Sequence, residues 1–217
     1  MNRTITVKGM GKINAKPDLA ILTVNLEAKE MEYEAAIVSA AKKINNLQDS
    51  ITSVGFQKTD LKTTKFEVSP QFENVRDKIN SYKLVFDGYV VIHNLKLEFD
   101  LDMKRMSEVL TALANCGANP EFTIAFSVKN KSMVRESLLI NATENAKAKA
   151  AILAKASGVK LGQIIRIDYN WGELQLYSHT RYNAPDMMMV SEDAPSIDIE
   201  PEDIDVSDSV TLIWEII

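Results

Sequence analysis

Apolar and polar residues alternate at the start of the chain, and this alternation predicts β-strands. Ile5 and Val7 alternate with polar neighbours, and Leu22 and Val24 do the same further on. A period of two places one side of a strand in the core and the other side in solvent. We therefore predict two strands in this region, and we expect the GMGK sequence at residues 9–12 to be a plain turn.

Five further stretches show the strand pattern. They are residues 62–73, 91–99, 121–130, 162–171 and 206–217. Residues 74–88 are more polar, and they predict a loop or a small hairpin. Three prolines and a cluster of acidic residues within residues 183–205 predict an extended loop, because proline disfavours helix in the residue before it.

Apolar residues recur every three or four positions in three other segments, which predicts amphipathic helices. The helices are expected at residues 37–54, 103–113 and 132–156. Glycines at 55, 117 and 158 follow their ends, where a left-handed backbone commonly terminates a helix. We expect Asp100 or Asp102 to cap the second helix and Ser132 to cap the third.

The third helix carries alanines at every fourth position. They are Ala142, Ala146, Ala150 and Ala154. Residues four apart lie on the same side of a helix, and small side chains allow a close approach to a neighbouring element. We therefore expect this side of the helix to be buried in close packing.

The order of these elements predicts an α+β fold, in which mainly antiparallel sheets pack with three amphipathic helices. The two halves of the chain are similar in outline, so we expect one domain with two loosely related lobes. One lobe would contain about residues 1–100 with 206–217, and the other about residues 101–182. Residues 183–205 would form an acidic, Met-containing extended loop.

Charge is unevenly distributed along the chain. Residues 182–217 contain ten acidic residues and no Lys or Arg, and the net charge of the whole chain is −5, so the first 181 residues carry +5. Basic residues are scattered among acidic ones, which argues against nucleic-acid binding. No apolar run approaches the roughly 20 residues of a membrane span.

The beginning of the chain lacks the apolar segment of a secretory signal, so we expect a cytoplasmic protein. A periplasmic or cell-envelope location is the alternative if a leader has been removed.

Candidate catalytic residues are few. His93 and His179 are the two histidines, and neither lies in a motif typical of nucleophilic catalysis. We expect His93 to be a hydrogen-bonded core residue, His179 to lie in a surface loop, and the single Cys116 to be a buried thiol. The sequence thus predicts a protein that is not an enzyme and has no cofactor.

Met187, Met188 and Met189 are consecutive, and they allow two interpretations. Thioether sulfurs bind soft ions such as Cu(I), and His179 would be a further ligand of a metal site. A run of methionines is also an adaptable apolar patch. We favour the second interpretation, in which the three methionines contact a neighbouring subunit of a homo-oligomer.

Several strings, in this order, resemble the SIMPL-domain family, the YggE-like group of bacterial proteins. They are ITVKGMGKINAKPDLAIL, TTKFEVSPQF, VLTALANCGAN, FTIAFSV, ENAKAKAAILAKASGVKLGQI, PDMMM and IEPEDIDVSDSVTLIWEI. The resemblance implies an α+β fold, ring-like homo-oligomers in some members and an association with oxidative-stress tolerance. It brings no catalytic motif with it.

Residues and resemblance together predict a non-enzymatic, self-assembling protein with an oxidative-stress or envelope-related role. The alternative is a small-ligand or soft-metal binding protein that uses the methionines and the acidic loop.

Overall fold

The alternating stretches of the sequence form eight strands. They are β1 (Thr4–Ala15), β2 (Leu19–Glu30), β3 (Lys62–Arg76), β4 (Tyr82–Asp100), β5 (Glu121–Ser127), β6 (Leu161–Tyr169), β7 (Tyr177–Ala184) and β8 (Ile204–Ile216). The helices are α1 (Tyr33–Ser53), α2 (Met103–Asn115) and α3 (Lys131–Ala156), with a short 3-10 helix at Lys58–Asp60. This computed structural model describes residues 3–76, 82–170, 172, 174–184 and 199–217.

The strands are divided between two sheets. One has the order β1-β8-β6, and both of its pairs are antiparallel. The other has the order β3-β4-β2-β5-β7, in which β4 is antiparallel to both β2 and β3. The predicted α+β fold with mainly antiparallel sheets is confirmed. In the part of the chain that the structure describes, no helix is long and apolar enough to cross a membrane.

The chain divides into two compact units. The first contains Met1–Asp18, Ser127–His179 and Pro201–Ile217, and the second contains Leu19–Phe126 and Thr180–Glu200. This division differs from the lobes expected from the sequence. β1 shares a unit with α3 and β8, because the register from Thr4 opposite Glu215 to Ala15 opposite Ile204 joins the two ends of the chain.

In the first unit, the alanine side of α3 packs against β1 and β8. Ala142, Ala146 and Ala150 have no exposed surface, and they form a cluster with Val7 and Trp214. The predicted burial of this side is therefore confirmed. A second cluster contains the following residues of the same unit: Val128, Val134, Leu138, Leu176, Ile204 and Val206.

The GMGK sequence is part of β1, and the predicted turn is wrong. A Cβ atom on Gly9 would lie 2.6 Å from the backbone nitrogen of Ala146, and one on Gly11 would lie 2.9 Å from that of Ala142. The two glycines are therefore needed for the close approach of α3, since any side chain would overlap the helix backbone.

In the second unit, α1 and α2 pack against the five-stranded sheet. Fully buried side chains of this core come from β2, β4, β5 and both helices: Leu22, Leu47, Ile51, Leu95, Leu97, Met106, Leu113, Ile124 and Phe126. Arg105 joins the two helices, because its guanidinium donates to the carbonyl oxygen of Val54 at the end of α1 and lies 4.1 Å from the centre of the Phe56 ring.

Residues 74–88 were expected to form a loop or a small hairpin, and the hairpin is the alternative observed. β3 continues to Arg76 and β4 starts at Tyr82, so most of this region belongs to two paired strands. β7 is a strand that the sequence pattern did not predict, and β8 starts at Ile204, two residues earlier than expected.

Candidate subunit interface

His93 is the histidine of β4, and it is half-buried. Its Nε2 atom and the hydroxyl of Thr63 are 2.8 Å apart, and the ring of Phe66 packs edge-on against the imidazole. Burial lowers the pKa of His93 below its ordinary value. For the Thr63 hydroxyl to act as a nucleophile, His93 would have to act as its base and be oriented by a third polar group. The described neighbour of the imidazole is instead the aromatic ring of Phe66. The expected hydrogen-bonded role is confirmed, although the side chain is not fully buried.

Cys116 follows the last turn of α2 and is 6% exposed, as the sequence predicted. Burial raises the pKa of its thiol, so the reactive thiolate is disfavoured. This cysteine is therefore a packing residue.

His179 lies on β7, so the predicted surface loop is wrong at this position, although the side chain is exposed. Met187, Met188 and Met189 lie outside the described residues. Within the described ranges, no three His, Cys, Asp or Glu side chains are grouped to hold a metal ion. The interpretation of the methionines as a metal site thus stays a prediction from the sequence.

The most unusual surface of the molecule is the end of the β3–β4 hairpin. β4 pairs with β2 from Tyr89 to Asp100, whereas its pairing with β3 extends to Tyr82. Residues 71–76 and 82–88 therefore form a two-stranded ribbon beyond the end of β2, which we call the arm. Among the described strands, no third strand supports it.

Gly88 starts the arm at an irregularity of the ladder. The register shifts between Gln71 and Phe72, which leaves Asp87 as an extra residue in β4. Gly88 has a φ of 107°, and a Cβ atom there would lie 2.5 Å from the carbonyl oxygen of Glu30. A bulge with glycine bends a strand and increases its twist, so it redirects the arm away from the line of β2.

One side of the arm is mainly apolar. Register and alternation place Phe72, Tyr82, Leu84 and Phe86 on the same side, which we call the aromatic face. Asn74 and Arg76 lie on this side too, opposite Leu84 and Tyr82. The Phe72 and Phe86 ring centres are 5.7 Å apart, which confirms that they are neighbours. Phe72, Tyr82, Leu84 and Phe86 are 55, 70, 65 and 37% exposed, respectively. The aromatic face is therefore open to solvent along its length.

Ring contacts extend this apolar surface to the start of α1. Phe86 contacts Tyr89 at 5.3 Å, and Tyr89 contacts Tyr33 at 5.6 Å between ring centres. Met31 and Tyr33 are themselves 63 and 53% exposed. A large side chain has a surface of about 150–250 Å². The exposed fractions of the aromatic face, Met31 and Tyr33 together therefore correspond to an exposed area on the order of 600 Å². That area reaches the upper end of the largest apolar patch on a typical monomer, about 300–600 Å².

The opposite side of the arm is mixed. Val75 lies opposite Lys83 and Val85 lies opposite Glu73, so each apolar residue on this side has a charged cross-strand neighbour. The described residues of this side include no aromatic side chain, whereas the aromatic face carries Phe72, Tyr82 and Phe86. This difference provides a matched control for mutagenesis.

The sequence contained a signal for the aromatic face, which the prediction did not use. Tyr82, Leu84 and Phe86 alternate with Lys83 and Val85. The same period of two that predicted the other strands applies here. Exposure of the apolar side depends on where β2 ends, and the strand pattern does not contain that information.

Comparison with known proteins identifies the family. The family model described as "SIMPL: Protein of unknown function (DUF541)" matches residues 5–214. Similar proteins include the "26 kDa periplasmic immunogenic protein" of Brucella abortus (strain S19) and that of Brucella melitensis biotype 1. Each is 27% identical over 163 residues, which are 75% of this chain and 65% of the Brucella protein. This chain thus spans less than two thirds of these relatives.

A third relative is the "Uncharacterized protein YggE" of Edwardsiella ictaluri. It is 21% identical over 180 residues, which cover 83% of this chain and 73% of that protein. None of these three names is that of an enzyme. The expected cytoplasmic location is contradicted, because both Brucella relatives are named as periplasmic proteins. The match of the family model from residue 5 to residue 214 shows that this chain belongs to the SIMPL family.

Proposed function

We propose that the protein is a non-enzymatic subunit of a homo-oligomer, and that the aromatic face of the arm is one of its subunit contacts. The observation that carries this proposal is the exposed row of Phe72, Tyr82, Leu84 and Phe86 on an arm that no third strand supports among the described residues. Two-stranded ribbons are marginally stable in water on their own. Burial of the aromatic face would stabilise the arm and remove apolar surface from water.

A second copy is the partner that fits this surface best. The exposed apolar area, on the order of 600 Å², is close to the ~800 Å² that each partner of a standard protein interface buries. Glu73 and Asp87 balance Arg76 and Lys83 on the arm, so its net charge favours neither an acidic nor a basic partner. A two-fold contact between identical apolar faces needs no such selection.

The periplasm is the location that the relatives support, since both Brucella proteins carry that word in their names. An oxidative-stress role rests on the resemblance alone and stays a prediction.

Met187, Met188 and Met189 remain part of this proposal as a second subunit contact, on the basis of the sequence. Replacing all three with Ser should weaken assembly and leave the protomer folded, because Ser removes the adaptable apolar surface. If this variant assembles like the natural protein, the methionines have no role between subunits.

Size-exclusion chromatography with light scattering tests the contact at the arm. The natural chain, whose protomer is 24.2 kDa, should elute as an oligomer at about micromolar concentration. The double variant Phe72→Thr with Leu84→Thr should assemble less, since Thr keeps a high strand propensity and removes the apolar contact.

Val75→Thr with Val85→Thr is the matched control on the opposite side of the arm, and it should assemble normally. A natural protein that is monomeric under these conditions would overturn the proposal. Equal assembly of the two double variants would show that the aromatic face is not a subunit contact.

A further inference from the structure

β6 is an edge strand with an unusually apolar exposed surface. It pairs with β8 on one side, and none of the described strands pairs with its other side. Ile164, Ile165 and Ile167 are 41, 52 and 61% exposed. Free edges with apolar side chains are templates for pairing with another chain, and proteins normally protect them.

An irregularity protects only the first half of β6. The register with β8 shifts between Leu161 and Ile164 and again between Ile164 and Arg166. From Arg166 to Tyr169 the pairing is regular. Bulges twist a strand edge and hinder pairing, so the segment that we consider for pairing with a partner is residues 166–168.

The charges on this segment select one register for pairing with a second copy. Arg166 and Asp168 lie on the same side of β6, where the guanidinium Nε donates to the carboxylate at 2.6 Å. In an antiparallel pair of identical strands, residues that face each other must lie on the same side of the sheet. The two-fold axis that relates the two strands must therefore lie where one residue faces its own copy, and not midway between two residues.

Three axis positions are available within the regular segment. An axis at Arg166 would place two arginines opposite each other, and an axis at Asp168 would place two aspartates opposite each other. An axis at Ile167 instead places Arg166 of each copy opposite Asp168 of the other. Opposite charges directly across a strand pair stabilise it, and like charges destabilise it.

We infer that β6 pairs antiparallel with β6 of a second copy, with the two-fold axis at Ile167. The pairing would join two three-stranded sheets into one of six strands, and it would place the exposed Ile167 side chains against each other. This inference rests on the proposed homo-oligomer, but it uses a surface other than the arm.

A cysteine at the axis tests the register directly. In a Cys116→Ala background, Ile167→Cys places two thiols opposite each other, within the Cα separation of a disulfide. Mild oxidation should convert most of this variant to a covalent dimer. Ile165→Cys is the matched control, because its two copies would be about 13 Å apart along the strands and should not cross-link.

Exchanging the charges of Arg166 and Asp168 tests whether these residues pair between the two copies. Arg166→Asp places like charges opposite each other, and so does Asp168→Arg. Each should lower the yield of the Ile167→Cys cross-link at least about tenfold at low salt. The combined variant Arg166→Asp with Asp168→Arg restores opposite charges across the pair. It should recover the yield, which a general effect of either substitution on folding would not do.

The outcomes separate this inference from the proposed function. An oligomeric natural protein whose Ile167→Cys variant does not cross-link would overturn the β6 pairing and leave the assembly proposal intact. Equal cross-linking of the Ile165→Cys control, or failure of the combined charge variant to recover, would also overturn it. A natural protein that is monomeric would overturn both proposals.

Discussion

Gly9 in β1 lies directly against Ala146 in α3, so closely that a Cβ atom on Gly9 would be 2.7 Å from the Cβ atom of Ala146. The contact joins the beginning of the chain to its longest helix. It exists because both residues are small: neither a side chain on the strand nor a larger one on the helix fits between the two backbones.

Gly9→Ala should lower the free energy of unfolding by at least about 2 kcal/mol, because the added methyl group overlaps the backbone of α3. Gly172→Ala is the control, since a Cβ atom there meets nothing within 4 Å. Urea unfolding followed by circular dichroism would measure both. Equal stability of the two variants would mean that α3 does not approach β1 this closely.

Ala146→Leu should destabilise the same contact from the side of the helix, by roughly 1–3 kcal/mol. Ala148→Leu adds the same atoms two residues further along α3 at an exposed position, so its effect should stay within about 0.5 kcal/mol. Thermal unfolding of the two variants gives the comparison. A stable Ala146→Leu protein would contradict the observed packing of this side of α3.

Asp102 caps α2, because its carboxylate accepts a hydrogen bond from the backbone N–H of Arg105 at 2.8 Å. Asp102→Ala removes the acceptor and should cost about 1 kcal/mol, whereas Asp102→Asn keeps an acceptor and should cost less. Chemical denaturation of the three proteins distinguishes the two effects. If Asn is as destabilising as Ala, the hydrogen-bond acceptor is not what stabilises the start of α2.

His93 should make stability depend on pH in the acidic range. Burial lowers its pKa in the folded state, so the unfolded state binds a proton first as the pH falls. The neutral His93 side chain therefore contributes fully to the free energy of unfolding above about pH 6.5, the pKa of histidine in the unfolded state. This contribution is lost as the pH falls below that value.

The stability of the natural protein relative to His93→Gln should thus be greater at about pH 8 than at about pH 5. Urea unfolding of both proteins at the two pH values measures this difference. A difference in stability that is the same at both values would show that burial does not disfavour the charged form of His93.

Local signals in the sequence determined most of the elements. Glycines 55, 117 and 158 were predicted to follow the three helices, and they have φ values of 90°, 65° and 70°. Each takes the left-handed conformation that glycine adopts without a steric penalty. The predicted cap at Asp102 is also confirmed. These features depend on residues within one turn of each other, so a linear pattern contains them.

Contacts between distant segments decided the features that the pattern did not predict. The GMGK sequence appeared to be a turn because glycine favours turns, yet α3, more than 120 residues later, requires glycine at this point of a strand. The cap of α3 is Asn130 rather than Ser132, because the helix begins at Lys131 and the Asn130 side chain accepts from the N–H of Met133.

The two candidate interfaces also depend partly on local sequence signals and partly on contacts between distant segments. Alternation along Tyr82, Leu84 and Phe86 is a property of the sequence, but exposure of that side arises because β2 stops opposite Tyr89. The charges of Arg166 and Asp168 are likewise visible in the sequence, and only the position of β6 at a sheet edge makes them available to a second copy. Side-chain period is local, whereas the end of a neighbouring strand and the order of strands in a sheet depend on which distant segments pair. The sequence therefore determined the apolar and charged sides of these strands, and tertiary structure decided which of those sides meet solvent.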